Sequence, residues 1–197
     1  MKVLLTGGSG QVGLALQSQV PTSWELVAPS RHQLDLESDA SICSFVTDFR
    51  PAWVINAAAY TNVEKAEAEP ELANRINGVA PGILARETAR VGGRMLQVST
   101  DYVFDGTGEH PWSPDDLTNP IGAYGRSKLA GERGIAQAGG CYAILRTSWV
   151  FSAHGNNFVK TMLRLGTERD ALSIVADQIG GPTSAGSIAA ACLKMAE

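Results

Sequence analysis

No stretch of the 197-residue sequence carries five or six charges of one sign, and the formal net charge is only -4. Without a basic field nothing gathers a phosphate backbone or an anionic bilayer, so no nucleic acid and no membrane are expected as partners. Cysteine is scarce: Cys43, Cys141 and Cys192 are odd in number, far apart and in no Cys-x-x-Cys spacing. That argues against a disulfide framework or a zinc site and predicts three buried free thiols in a reducing cytoplasm. Long apolar runs are missing too. The first, in "MKVLLTGGSG", stops after Leu5, too short for a signal h-region or a membrane span, and has the form of a first strand. There is no internal repeat, low-complexity linker or charge-block boundary. What remains is a chain with 44% hydrophobic and 18% charged residues, the balance of one globular domain.

Short apolar runs alternate with segments of helical character, the pattern of a parallel sheet covered on both faces. Strands are predicted at 2–6, 24–29, 53–56, 94–99, 141–147 and 172–175. Several, such as "WVI" and "YAIL", lack polar alternation, as fits burial on both sides. Helices are predicted at 11–20, 38–49, 71–91 with a break near Gly78 and Pro81, 123–137 and 157–168, and a last one from near Ser184. That alanine-rich last helix runs out without a cap signal, and the protein's natural boundary is expected beyond it.

Between the first strand and first helix, "LLTGGSGQVG" carries Gly7, Gly10 and Gly13. A glycine triplet can be a bare turn, but at this place it suits a tight turn, close approach to a pyrophosphate and close helix-on-strand packing. Past the second strand, "PSRHQLDL" offers Asp35 for an adenosine ribose and Arg31 for a 2′-phosphate, and the choice between them stays open.

In "NPIGAYGRSKLAGE", Tyr124 and Lys128 stand four apart, on one face of a helix. An ammonium beside a phenol favours the phenolate, so Lys128 is expected to lower the Tyr124 pKa toward the range of a general acid. The spacing alone also arises by chance on helix surfaces. What distinguishes it is "QVSTDYVFDG", which puts Ser99 and Thr100 at the carboxyl end of the fourth strand, where open parallel sheets bind ligands. Hydroxyls there can orient a substrate carbonyl, though simple turn chemistry also places them at strand ends. His32, His110 and His154 fit no catalytic or ligand spacing and are expected at the surface or in loops.

Together with "VINAAAYTNVEKAEAEPELANRIN", "RTSWVF", "GNNFVKTML" and "DQIGGPT", these segments resemble the extended short-chain dehydrogenase/reductases and, more narrowly, the dTDP-4-dehydrorhamnose reductase family, over essentially the whole chain. The resemblance implies an α/β, Rossmann-type doubly wound parallel sheet, with residues 1–197 as a single NAD(P)-binding domain that includes, from about 149, part of a small, incomplete substrate lobe. It implies reduction, with NADPH or NADH, of the C4 keto group of a dTDP-linked 4-keto-6-deoxysugar, giving dTDP-L-rhamnose. Thr100, Tyr124 and Lys128 would be the catalytic set. Gly7, Gly10, Gln11, Val12 and Gly13 would hold the pyrophosphate, Arg31, Asp35 and Leu36 the adenosine end, Ala58 and Ala59 the nicotinamide side, and Lys128 the nicotinamide ribose. The sugar nucleotide would touch Val63, Tyr102, Trp149 and Asn156, of which Tyr102 and Trp149 also suit core aromatics. A homodimer is among the expected partners. Where some members bind Mg2+ through glutamates, this chain has Ala15 and Gly186, so no such metal is expected. The alternatives are a sugar-nucleotide epimerase and a non-catalytic cofactor-binding subunit. A dehydratase is disfavoured because no glutamate follows Thr100-Asp101.

Overall fold

The runs that lack polar alternation make the central sheet. The computed structural model describes residues 1–197. Strands β1 (Lys2–Thr6), β2 (Glu25–Val27), β3 (Trp53–Asn56), β4 (Arg94–Thr100) and β5 (Cys141–Thr147) are all parallel, in the order β2-β1-β3-β4-β5. Helices α1 (Gln11–Gln19), α2 (Asp39–Phe49), α3 (Val63–Ala68), α4 (Pro70–Asn74), α5 (Ala80–Arg90), α6 (Ala123–Ala138), α7 (Phe158–Glu168) and α8 (Ala185–Ala196) complete the chain, with a two-stranded sheet of β6 (Val150–Phe151) and β7 (Thr183–Ser184).

Strand residues alternate between faces, and here both faces are covered. Val3, Leu5, Ile55 and Leu96 pack with Leu16 of α1 and Ile188 and Cys192 of α8. Leu4, Val54 and Met95 pack on the other side with Ile42 and Val46 of α2, Leu84 of α5 and Ile135 of α6. This is the Rossmann-type doubly wound arrangement, and it points the carboxyl ends of β1, β3, β4 and β5 to one edge.

The departures have local causes. Residues 172–175 form no strand: they pair with no other strand, and Ile174 and Val175 lie exposed. A short apolar run becomes a strand only where a ladder partner exists. The break expected near Gly78 and Pro81 is instead a π-helical turn, Arg75–Val79, joining α4 to α5. Pro81 cannot donate to the carbonyl of Asn77, and the wider turn accommodates its ring. Helix α3, started by an Asn62 cap that accepts from the Lys65 N–H, was not foreseen. Of the three cysteines only Cys192 is buried; Cys141 is exposed at the start of the edge strand β5 and Cys43 is half-buried on α2. His32, His110 and His154 are all exposed. No helix is long and apolar enough to cross a membrane.

Candidate active site

Gly7 follows β1 with φ +73, and a Cβ there would lie 2.6 Å from backbone atoms of Ala57 and Ala58 beyond β3. Only glycine permits that approach. Gly10 is the N-cap of α1 without a side-chain cap, and the first bond into the helix runs from the Leu14 N–H to the Gly10 carbonyl (2.9 Å). The N–H groups of Gln11, Val12 and Gly13 therefore stand at a helix N-terminus, where the dipole favours a phosphate. The Gln11 side chain is committed elsewhere. Its Nε2 reaches the carbonyls of Val150 and Asn156 (both 3.5 Å), and its Oε1 accepts from Ser152 Oγ (3.0 Å) and Asn157 Nδ2 (2.9 Å). Val12 packs on the α1–α8 core and Gly13 is buried.

Ala58 and Ala59 are half-buried past β3, with the Ala58 N–H on Asn56 Oδ1 (3.2 Å). Beyond β2, Arg31 and Asp35 are exposed and Leu36 packs on the α2 side of the core. Asp35 Oδ1 accepts the Glu37 N–H (2.9 Å), and Arg31 forms no ion pair.

At the end of β4 the two hydroxyls part, because successive strand residues face opposite sides. Ser99 Oγ donates to Glu132 of α6 (2.5 Å) and so is withdrawn from the site. Thr100 caps the 3-10 turn Asp101–Val103, accepting the Tyr102 N–H (3.2 Å) and donating to Asp101 Oδ1 (3.1 Å), and it lies near enough to Tyr124 to act on its pKa. Helix α6 is held against that turn by Gly125, where any Cβ would run into the Tyr102 carbonyl. Its N-terminus is capped from α3: Glu67 Oε1 accepts the Ala123 N–H (2.5 Å). Tyr124, in the first turn, sits edge-on to Tyr102 with ring centroids 5.5 Å apart.

The lysine does not act on the phenol as expected. Burial pushes Tyr124 up to about 12, against a hydrogen bond with Thr100 that pulls it down, while Asp101 and Tyr102 raise it further. Lys128, 4% exposed, donates to the Val98 carbonyl (2.8 Å) and is not among the groups acting on Tyr124. Burial pushes Lys128 itself down to about 8, partly offset by Glu132. At neutral pH the phenol therefore keeps its proton and the amine is mostly ammonium.

A family model, the RmlD substrate binding domain, matches residues 1–197. The chain belongs to that family. It is 48% identical over 189 residues to a dTDP-4-dehydrorhamnose reductase of Burkholderia thailandensis, an alignment covering 96% of this chain and 63% of the relative. Among solved structures, a dTDP-4-dehydrorhamnose reductase of Clostridium acetobutylicum superposes with TM-score 0.96 at 41% identity, covering 99% of this chain and 70% of that one. The Bacillus anthracis enzyme of the same name, solved in complex with NADP, superposes with TM-score 0.95 at 38% identity, covering 99% and 70%. The chain thus spans under two thirds of the length of the curated relative.

Within this family member, the four residues expected on the sugar side lie apart from the core. Tyr102 and Trp149 are 40% and 41% exposed, so neither is a core aromatic. Trp149 has φ +45, a strained backbone for a bulky residue, and its ring lies against Gly180. Val63 opens α3, and exposed Asn156 offers its carbonyl to Gln11. Its neighbour Asn157 is the fixed one, capping α7. An open cleft of about 400 Å3, lined among others by Asp101, Phe104, Trp112, Arg146 and Thr147, adjoins the end of β4 but contains neither Tyr124 nor Lys128.

Two polar groupings had escaped the sequence. Thr6, Asn56 and Gln97, buried and in register across β1, β3 and β4, form a chain. Thr6 Oγ1 donates to Asn56 Oδ1, Asn56 Nδ2 to Gln97 Oε1 (2.7 Å), and Gln97 Nε2 to the Val98 carbonyl (2.7 Å) that also holds Lys128. From the π turn, Asn77 accepts the Tyr60 N–H (2.8 Å) and donates to the Tyr60 carbonyl (3.0 Å) and Ser127 Oγ (3.0 Å), tying the loop after β3 to α6. For the first grouping, uncharged Asn56 and Gln97 inside largely apolar strands were the available signal.

Proposed function

We propose that the chain is the cofactor-binding part, with a portion of the substrate lobe from about residue 149, of an NAD(P)H-dependent reductase acting on the C4 keto group of dTDP-4-dehydrorhamnose to give dTDP-L-rhamnose. The observation that carries this is the meeting of Thr100 and Tyr124 at the carboxyl end of β4, with Lys128 buried one turn along α6, in a member of a family whose relatives bear that name. The Gly7 turn, too tight for a Cβ, and the N-terminus of α1 suit a dinucleotide pyrophosphate. When bound, NADPH or NADH supplies the hydride. Gly7, Gly10, Gln11, Val12 and Gly13 would hold the phosphates through backbone groups, and Ala58 and Ala59 would border the nicotinamide. Arg31, Asp35 and Leu36 would hold the adenosine end, Asp35 suiting a free ribose and Arg31 a 2′-phosphate.

Thr100 and Tyr124 hydrogen-bond the C4 carbonyl oxygen and fix its orientation. As C4 takes the hydride, the Tyr124 O–H proton passes to the C4 oxygen, so that C=O becomes CH–OH. A phenol raised to about 12 is protonated at the start of that step, as a donor must be. Lys128 as ammonium would hold the nicotinamide ribose. Val63, Tyr102, Trp149 and Asn156 contact the sugar nucleotide. The test is NADPH absorbance on titration with dTDP-4-keto-6-deoxysugar. Stoichiometric loss supports the reductase, recycled cofactor would mark an epimerase, and unchanged absorbance at high protein concentration would mark a binder.

A further inference from the structure

Glu132 and Arg146 have no part in the chemistry above, yet they are packed next to it. Lys128 and Glu132 stand four apart on one face of α6, 4% and 5% exposed. They land on adjacent residues of β4: Lys128 Nζ on the Val98 carbonyl (2.8 Å), Glu132 Oε1 on Ser99 Oγ (2.5 Å). Arg146, the cross-strand partner of Ser99 on β5, grips the same carboxylate twice, Nε to Oε1 (3.1 Å) and Nη2 to Oε2 (2.7 Å). Its third nitrogen, Nη1, donates to the Pro114 carbonyl (3.0 Å), and its guanidinium lies 5.0 Å from the Phe104 ring centroid.

A buried ion pair seldom stabilises a fold more than apolar residues of the same volume would. What charges supply and apolar side chains cannot is a field. We infer that Glu132 and Arg146 are positioning residues for Lys128: the carboxylate, pinned by Arg146 and Ser99, is the buried counter-charge that keeps Lys128 an ammonium, and Arg146 attenuates it. The link to catalysis rests on the reductase reading; the coupling among the three side chains does not.

Of the other ionisable groups on elements packed against α6, Glu64, Lys65, Glu71, Cys141 and Tyr142 are exposed and the rest are engaged elsewhere. Glu67 of α3 caps Ala123 and pairs with Arg126, and Glu69 accepts from Tyr60. Arg75 of the π turn pairs with Asp39, and Glu87 of α5 with Arg86 and Arg90. Asp101 and Tyr102 act on Tyr124, and Arg94 of β4 lies over Trp53. The charge acting on Lys128 is that of Glu132, in opposition to burial.

The test reads Lys128 directly, by NMR titration of the ligand-free protein labelled with 13C at lysine Cε, the resonance assigned by its loss in Lys128→Arg. Glu132→Gln removes the counter-charge and leaves Arg146 behind, so the Lys128 titration should move down by about one unit or more. Arg146→Met leaves the carboxylate unopposed and should move it up. Arg146→Lys should return it toward wild type. A merely structural role predicts no such opposition. Equal directions in the first two variants, or an unmoved titration in a folded Glu132→Gln, overturn the inference. If the glutamine variant does not fold, Arg146→Met decides alone, and loss of folding in both makes the pair a strut and overturns it as well. Opposed shifts in a protein that never oxidises NADPH with the keto sugar would sink the reductase reading and leave the pair standing.

Discussion

Two regions of the molecule hold their apolar residues in opposite ways. In β1, β3 and β4, Val3, Leu4, Leu5, Val54, Ile55 and Leu96 are fully buried because a helix layer lies on each side. In α7 none of eleven residues is buried, and Phe158 and Leu163 are 57% and 69% exposed, as are Ile174, Val175 and Ile179 on the segment that follows. The side chains are of one kind; what differs is whether an element stands opposite them. The segment between β5 and α8 is held chiefly by polar ties: Gln11 to its 150–157 loop, Ser148 Oγ to the Gly181 carbonyl (2.8 Å), and the short β6–β7 pair. The groups assigned to proton transfer therefore sit on the closed region, and two of the four assigned to the sugar, Trp149 and Asn156, on the open one.

The largest effect should come from the closed region. Tyr124→Phe removes one hydroxyl from a packed ring and should lower kcat by about two to four orders of magnitude, with NADPH affinity nearly unchanged. Equal turnover in that variant would refute the role of the phenol, and an equal loss of NADPH binding would mean that the ring shapes the cofactor site instead. Next comes the scaffold. Ile55→Ala, at a fully buried position between Leu5 and Leu96 in the same core, should cost about 2–5 kcal/mol in denaturant unfolding.

The closed region is also the one that was legible in the sequence. Strands at 2–6, 53–56 and 141–147 and the starts of α1 and α6 follow from unbroken apolar runs and from glycine or proline beside them, signals that are local. The residue types proposed as catalytic were legible too, from spacing and family resemblance. Their electrostatics were not. That Lys128 turns to the Val98 carbonyl, and that Tyr124 is raised rather than lowered, depends on burial between α6 and β4, which no spacing encodes. Ser99 and Thr100 are neighbours in sequence, and only the pleat separates their fates. The strand expected at 172–175 failed for the converse reason: its apolar pattern is present and its partner is not.

A pH series sharpens the contrast at intermediate size. Lys128 titrates near 8 in the folded chain against 10.5 unperturbed, so its ammonium is present below that value and lost above it. NADPH affinity by fluorescence titration should be flat below about pH 7 and fall as pH rises through 8. The stability contribution runs the other way. Between about 8 and 10.5 the unfolded chain binds the proton that the folded chain has released, so this group makes the fold more stable as pH rises. Opposite slopes of binding and thermal unfolding across that window would identify a buried lysine; parallel slopes would point to general alkaline loss of structure.

The smallest effect is expected where the open region is most apolar. Leu163→Ser on α7 removes a side chain that is 69% exposed and leaves no cavity, so stability should change by no more than about 0.5 kcal/mol. Denaturant unfolding beside Ile55→Ala would test the contrast on one scale, since both changes truncate a large aliphatic residue. A loss above about 1 kcal/mol at Leu163 would break it, because an exposed leucine can contribute that much only if something covers it in solution. Repeating the unfolding at several protein concentrations would then identify the cover. A concentration-dependent midpoint would mean a second copy of the chain on α7, and an unchanged one would mean that the segment from Leu172 to Ile179 folds back over the helix.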